Sequence, residues 1–293
     1  MLEHLILTTT VFLVLIIGTY SDFLKREVPD WLSYGSIVLG LGLSFILALI
    51  SQNWALIAQS VLGGLIFTAI AFAMFYLGQW GGGDSKILMG LGALIGLNWQ
   101  QVQTKLIPDL ITFLILIMFV GGIYGLFWSF FLAVSNSKNF KKKFEKISAK
   151  YSKLKRILLL SVILLVLISL FMPHMVKILM LVIVLVAILS FYIWLYAKAI
   201  EDSAMLRYIN PGKLVEGDWV AEDVKIDGKK IVGPSKTGIE REDIDKLVKL
   251  YKNGKVKKVL VKEGIPFVPS FLLSYLILVL MNYFNIALID FIL

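Results

Sequence analysis

The sequence predicts an all-α polytopic membrane protein of six to eight transmembrane helices, with a small α+β domain on the cytoplasmic side inserted before the last helix. Three observations predict it. Of 293 residues, 58% are hydrophobic and only 17% charged, and the mean hydropathy of +0.84 exceeds what a water-soluble domain can bury. Apolar runs follow one another at the length needed to cross a hydrocarbon layer about 30 Å thick, roughly 20 helical residues each. Between Ala199 and Glu263 the composition switches to that of a soluble protein.

The apolar runs are Leu5 to Tyr20, Trp31 to Ile50, Trp54 to Leu77, a short one from Ser85 to Leu97, Leu110 to Val134, Ile157 to Met172, Val176 to Ala197 and Phe267 to Phe291. The first starts with Glu3 and His4 instead of a basic segment and ends without a small-x-small site, so a membrane helix is expected there and not a cleaved signal peptide. Pro173 sits at the tip of Ile157 to Ala197, which is also compatible with one broken hairpin that never fully crosses. With eight alternating spans, all 29 Lys and Arg residues except Lys105 and Lys177 fall on one side. Basic loops mark the cytoplasm, so the expected protein is a multi-pass cell-membrane protein with both termini outside.

Five segments follow from this reading: 1–135, a transmembrane domain; 136–156, a basic cytoplasmic loop; 157–198, a transmembrane helical hairpin; 199–263, the soluble α+β domain; and 264–293, the last helix. The basic loop, Lys138 to Arg156, holds Glu145 as its one acid and is expected to lie against anionic lipid headgroups. Nucleic acid is not an expected partner, because aromatic interleaving is limited to Phe140, Phe144 and Tyr151 and no nucleic-acid fold motif accompanies the charge. In the soluble segment, Trp219 to Ile226 and Lys230 to Val232 flank Asp227-Gly228 as a hairpin would, and Lys255 to Lys262 alternates like a strand. Ile239 to Asn253 carries a helical apolar stripe, with Thr237 and Glu240 as a capping box and Gly254 at the C-terminal cap. Sixty-odd residues make a marginal core, and nothing in this segment reads as catalytic.

Composition also narrows the chemistry. There is no cysteine, which excludes disulfides, thiol catalysis and Cys-ligated metal, and the two histidines, His4 and His174, are too few and too distant for a metal site. No metal and no cofactor is expected, so hydrolysis falls to carboxylates or hydroxyls. Two acids outside the soluble segment stand out. Asp22 and Asp84 each lie within about a turn of the cytoplasmic end of an apolar helix, where a carboxylate is costly unless used or paired. Brought together they cannot both ionise cheaply, so one stays protonated and the pair can act as acid and base on water. Gly81, Gly82 and Gly83 precede Asp84 and remove every side chain from the approach to it. The bland alternatives are that the glycines merely break a helix whose N-cap is Asp84, and that Asp22 simply ends the first helix beside Lys25 and Arg26.

Gly81-Gly82-Gly83-Asp84-Ser85-Lys86 resembles the G-x-G-D motif of the type IV prepilin peptidases and their relative presenilin. Asp22-Phe23-Leu24-Lys25-Arg26-Glu27-Val28-Pro29-Asp30 resembles the prepilin-peptidase pattern of an aspartate after the first helix, a basic stretch and a V/I-P-D/N turn. The chain is most similar to the archaeal branch, the prepilin and preflagellin (prearchaellin) peptidases. It lacks the cysteine-containing loop of many bacterial enzymes, a soluble segment precedes its last helix, and Gly264 to Pro269 resembles the approach to that helix. The resemblance covers Met1 to about Val134 and Gly217 to Leu293; Ile157 to Ala197 adds a hairpin to a six-helix plan.

The resemblance implies a membrane aspartic endopeptidase that cuts the short basic leader from type IV pilin-like or archaellin precursors on the cytoplasmic side. Asp22 and Asp84 are then the catalytic pair, and Gly81, Gly82, Gly83, Pro29 and Asp30 shape the site. Lys86 either tunes Asp84 or, the favoured reading, meets lipid phosphate. The chain has no G-x-G-x-x-G loop after a strand, so peptidase activity without methyl transfer is expected. The competing readings are a presenilin-like protease that cuts inside transmembrane segments, and a cation-coupled transporter in which the two aspartates bind the ion.

Overall fold

The computed structural model describes residues 2–101, 107–226 and 228–286. Lys105, Asp227, Asp290 and residues 287–291 of the predicted last span lie outside them. The chain divides into two compact units, one of Met1–Phe127, Ile209–Val259 and Gly264–Leu293, the other of Trp128–Tyr208 and Leu260–Glu263.

The first unit opens with α1 (Leu2–Lys25), α2 (Asp30–Ser51), α3 (Ala55–Tyr76) and α4 (Gly82–Ile95), and continues into α5 (Asp109–Ser135). Each break has a local cause. Arg26 ends α1 at φ 59° and Gln52 ends α2 at φ 54° in the αL geometry in which helices commonly stop, while Gly96 ends α4 at φ 67° and ψ 157°, a conformation open to glycine alone. Among the described residues, five helices are long and apolar enough to cross a membrane: Glu3–Lys25, Asp30–Ser51, Ala55–Tyr76, Asp109–Ser135 and His174–Met205. The runs predicted at Ser85 and Phe267 form shorter helices of 14 and 16 residues.

Short as it is, α4 is buried on every face, with Ser85, Ile87, Leu88, Gly90, Leu91, Gly92, Ala93 and Leu94 all inside. Small residues allow this. A Cβ on Gly90 of α4 would run into Ser36 Oγ of α2, a Cβ on Gly40 would sit 2.8 Å from the Ala93 carbonyl carbon, and a Cβ on Gly63 of α3 would collide with the Gly92 carbonyl oxygen. Apolar lipid gives no hydrophobic drive for helices to associate, so close backbone approach and interhelical hydrogen bonds take its place. Ser60 Oγ accordingly donates to the Ala93 carbonyl at 2.6 Å, and the Leu97 amide to the Gln59 carbonyl at 2.8 Å. Around α4 the core gathers Val11 and Leu15 of α1, Phe67 of α3, and Phe113 and Ile117 of α5.

The described part of the soluble segment in this unit holds a short strand β2 (Trp219–Val220), an antiparallel pair β3 (Val224–Ile226) and β4 (Lys229–Val232), and α9 (Arg241–Lys252). Val224 pairs with Val232 and Ile226 with Lys229, the hairpin expected around Asp227-Gly228. The helix buries Ile244 and Leu247, and Gly254 follows it at φ 71°. The capping box does not form: Glu240 itself is the N-cap and makes no side-chain cap hydrogen bond, while the Thr237 amide donates to Ser235 Oγ at 3.3 Å. The last helix, α10 (Val268–Tyr283), carries Pro269 in its first turn, where a missing amide hydrogen costs nothing.

In the second unit the predicted basic loop is a helix, α6 (Ser137–Lys150), followed by α7 (Ser152–Ser169) and α8 (His174–Ile200). The hairpin at Ile157 to Ala197 is therefore two helices, with Pro173 as the N-cap of the second. Beyond α8, a π-helical turn at Glu201–Met205 leads to β1 (Leu206–Ile209), which neighbours β5 (Val259–Lys262) in the sheet. Arg207 and Glu263 (2.8 Å) and Lys262 and Glu201 (3.2 Å) form ion pairs there.

Candidate active site

Asp22 lies in the last turn of α1 and is 6% exposed. Its carboxylate accepts the Val268 amide at 3.0 Å and also the Phe267 amide. These are the first residues of α10, whose N-cap, Phe267, has no side chain able to cap. A helix start leaves amide hydrogens without partners and carries partial positive charge. Asp22 satisfies both from 246 residues away in the chain, which ties the end of the first helix to the start of the last. The loop between α1 and α2 folds back over this end, with Ser21 Oγ donating to the Glu27 carbonyl at 2.9 Å. Pro29 then serves as the N-cap of α2 in extended geometry.

Asp84 is not the N-cap of its helix. Gly81 holds that position, the Ser85 amide donates to the Gly81 carbonyl at 3.1 Å, and Asp84 falls in the first turn with its carboxylate accepting the Gly81 amide. That is half of a capping box. Gly81, Gly82 and Gly83 do not have positive φ, so the run is not there for unusual backbone angles. It supplies room: a Cβ on Gly83 would press on Val28 at 3.2 to 3.4 Å, and one on Gly81 would sit 3.4 Å from Asp84 Oδ2.

The two aspartates come together, close enough for the charge on Asp22 to act on Asp84. Four helices meet beside them: a Cβ on Gly18 of α1 would lie 2.7 Å from Ile87 of α4, 3.3 Å from Val268 of α10 and 3.6 Å from Leu32 of α2. Trp80, 6% exposed, walls the site with Phe267 at 6.1 Å and Phe271 at 5.7 Å between ring centroids. Tyr124 of α5 also lies within electrostatic reach of Asp22. The Phe267 and Val268 amides, Trp80 and Tyr124 are the site groups that sequence reasoning missed. Pro269 marks a helix start, but no linear signal says which distant acid that start will hold.

Lys86 pairs with a carboxylate of the neighbouring helix. Its Nζ lies 2.7 Å from Asp30 Oδ1 and 5.7 Å from the centre of the Tyr34 ring, so the residue two positions after Asp84 grips the first turn of α2. At the rim, partial burial of Glu27, reinforced by the Asp218 and Asp30 carboxylates and opposed by Lys25, pushes its carboxyl above the ordinary carboxylate range. Glu216 lies within electrostatic reach of Lys86, so four acids, Glu27, Asp30, Glu216 and Asp218, gather on this side. Among the described residues no group of three His, Cys, Asp or Glu side chains is placed to hold a metal ion.

Comparison with known proteins agrees with this segment. The chain is 36% identical over 92 residues to the preflagellin peptidase of Methanocaldococcus jannaschii, covering 31% of this chain and 39% of that protein. It is 35% identical over 136 residues to the preflagellin peptidase of Methanococcus voltae, covering 44% and 58%. The preflagellin peptidase of Methanococcus maripaludis is 28% identical over 130 residues, covering 43% and 56%. The chain thus spans between two fifths and three fifths of the length of the curated relatives it matches. No solved structure matches it. Residues 9–134, the stretch that carries both Asp22 and Asp84, match the type IV leader peptidase family.

Proposed function

We propose that this protein is a membrane aspartic endopeptidase that removes the short basic leader of type IV pilin-like precursors, preflagellins among them, on the cytoplasmic side of the membrane. One observation carries the reading: Asp22 and Asp84, 62 positions apart in the sequence, meet at the ends of two helices within the stretch that matches the leader peptidases. That the relatives are preflagellin peptidases supports the substrate class. The acids at the rim support it too, because a negative potential attracts a positively charged leader.

In the proposed mechanism Asp22 is the ionised partner, since two amide donors at a helix N-terminus stabilise a carboxylate charge. Asp84, with one amide donor and a neighbouring negative charge, is the protonated partner. Asp22 takes a proton from water as its oxygen adds to the scissile carbonyl carbon, and Asp84 gives its proton to the carbonyl oxygen. The tetrahedral intermediate then breaks its C–N bond, the leaving nitrogen takes the proton held by Asp22, and a hydroxyl proton returns to Asp84. The chemistry requires only water and the pair. Membrane lipid is the surrounding partner, and nucleic acid has no part.

The test is cleavage of a precursor with a basic leader ahead of an apolar helix, by membranes carrying the protein or its Asp22→Asn and Asp84→Asn forms. Either substitution should lower the rate by at least about a thousandfold, the scale lost with a catalytic acid or base, while the amount of folded protein in the membrane stays the same. Full activity in Asp22→Asn would overturn the pairing. A cut within the apolar segment, instead of before it, would move the assignment to an intramembrane protease.

A further inference from the structure

At the end of the first unit opposite Asp22 and Asp84, the helices enclose a cavity of about 260 Å³. Three helices that build the catalytic pair also build this cavity: α1 contributes Glu3, α4 ends on it with Leu94 and Ile95, and α10 reaches it with Asn282. Glu3 and Asp22 stand near the two ends of α1, separated by roughly 28 Å at 1.5 Å per residue, which is about one hydrocarbon thickness. The cavity therefore belongs to the other end of the span. Trp54 and Trp99, 54% and 41% exposed, directly follow its lining residues Asn53 and Asn98, and tryptophan gathers at the lipid headgroup boundary.

Hydrogen bonds between distant parts of the chain set the walls. Asp109, in the first turn of α5, accepts Gln101 Nε2 at 2.8 Å and Asn282 Nδ2 at 3.0 Å. Tyr275 of α10 hydrogen-bonds Thr8 of α1 and lies within electrostatic reach of Asp109. Gln59 of α3, which also lines the cavity, is only 9% exposed, and its Nε2 donates to Asn98 Oδ1 at 3.5 Å. The Gln100 amide donates to the same oxygen at 3.1 Å, which fixes that oxygen as the acceptor. The Gln59 carboxamide oxygen is then left without a donor among the described residues, and a buried acceptor in that state is costly.

The formal charge on these walls has one sign. Glu3 and Asp109 are carboxylates, the end of α4 carries partial negative charge, and no Lys or Arg is among the described residues of the lining. A bare metal ion does not fit, since its ligands must converge to about 2.0 to 2.6 Å and no group of three His, Cys, Asp or Glu side chains is placed to hold one among the described residues. Leu7, Leu56 and Val279 lie between the polar groups, which suits a cation that carries carbon atoms. The volume is just under the roughly 300 Å³ at which small-molecule sites begin, so the ligand is small. We propose that this cavity binds an organic ammonium group bearing N–H donors, supplied by a lipid headgroup or by a small free amine. The ammonium donates to the Gln59 oxygen and to the carboxylates, as charge-assisted hydrogen bonds. The inference is independent of the peptidase reading, because it uses none of the residues around the catalytic pair.

The experiment uses the full chain in a non-ionic detergent and has two arms, one for each source of the ammonium. In the first, thermal unfolding is followed with free ethanolamine or with choline, the same ion without N–H donors. Ethanolamine should raise the unfolding temperature by about 3 °C for each tenfold in concentration beyond saturation, and choline should not. In the second, the protein is exchanged into nanodiscs of phosphatidylethanolamine and phosphatidylcholine, re-extracted, and its retained lipids are counted by mass spectrometry. Phosphatidylethanolamine should be enriched about fivefold over its share, the scale of a charge-assisted hydrogen bond. A response in the first arm alone assigns the site to a free amine, and one in the second alone to a lipid; either supports the proposal. Glu3→Gln together with Gln59→Leu, which leaves the Asp109 hydrogen bonds in place, should abolish whichever response is found, and its unfolding temperature without ligand separates lost binding from lost fold. Glu3→Gln alone, at the exposed start of α1, should weaken the response about threefold. No preference for ethanolamine in either arm would overturn the proposal, and so would a response that survives the double substitution.

Discussion

At the scale of single residues, the site depends on which partner each charge finds. Lys86 and Asp30 are 37% and 66% exposed in their side chains, so the pair is worth at most about 1 kcal/mol, roughly fivefold in an equilibrium. Its value is positional, since it joins the helix of Asp84 to the first turn of α2, the helix that follows the Asp22 loop. Lys86→Glu should therefore lower precursor cleavage about fivefold, and adding Asp30→Lys should recover most of the loss; a swap that recovers nothing would detach the pair from the site. Glu27 makes a different prediction. Its carboxyl is raised above the ordinary 4.5, so the folded state holds the proton more tightly than the unfolded chain. Stability from this group is thus full below about pH 4.5 and is lost as the pH rises through the folded value. Glu27→Gln should stabilise the fold at pH 7 by a few tenths of a kcal/mol at this exposure, read as a slightly higher unfolding temperature, and make no difference at pH 4. The sequence brought out Asp22 and Asp84 because a carboxylate at the end of an apolar helix is out of place. It could not reveal that Asp22 would be held by the Val268 amide, since that contact depends on how the first and last helices pack.

At the scale of elements, α4 is the part whose position matters most, because it carries Asp84 and is enclosed on every side. Close approach by small residues makes a sharp claim. A methyl group on Gly63 collides with the Gly92 backbone, whereas Gly42 of the neighbouring α2 has nothing within 4 Å of its Cβ position. Gly63→Ala should cost about 2 kcal/mol by forcing helices apart, and Gly42→Ala should be neutral or stabilising by helix propensity. Thermal unfolding of the two variants in the same detergent compares them directly, and equal melting would show that α3 and α4 do not touch through these glycines. The spans themselves were legible because an apolar run about 20 residues long has few other fates. The basic run from Lys138 was not legible as a helix from charge alone; its Phe140, Phe144 and Ile147 stripe finds a partner only once α8 is present. The capping box failed for a related reason. Glu240 sits one residue before the helix, not three residues inside it, and motif spacing cannot fix a boundary that tertiary contacts move.

For the whole molecule, the distribution of charge sets the topology and the topology decides whether the pair can meet its substrate. Basic residues gather in the segments that join α1 to α2, α5 to α7 and α8 to α10, the pattern from which a cytoplasmic orientation of these segments is proposed. In the proposed orientation Asp22 and Asp84 face the compartment in which a newly made precursor would still carry its leader, and the rim acids face the same way. The chain contains no cysteine, so single cysteines report sidedness without background. Cysteine in place of Lys142 or Lys249 should react with a membrane-impermeant maleimide only in inside-out vesicles. Cysteine in place of Gln100, after α4, or Phe171, which is 87% exposed at the α7 to α8 turn, should react only in right-side-out ones. The Phe171 position decides the status of the hairpin: labelling from the same side as Lys142 would mean that α7 and α8 enter the membrane and return. In that case α6 and α10 would still start on the cytoplasmic side, since a hairpin that returns changes the sidedness of nothing after it. The peptidase reading therefore survives either result at Phe171 but not labelling of Gln100 and Lys142 from one face, because that would place the ends of α4 and α5 on the same side and separate Asp84 from the cytoplasm.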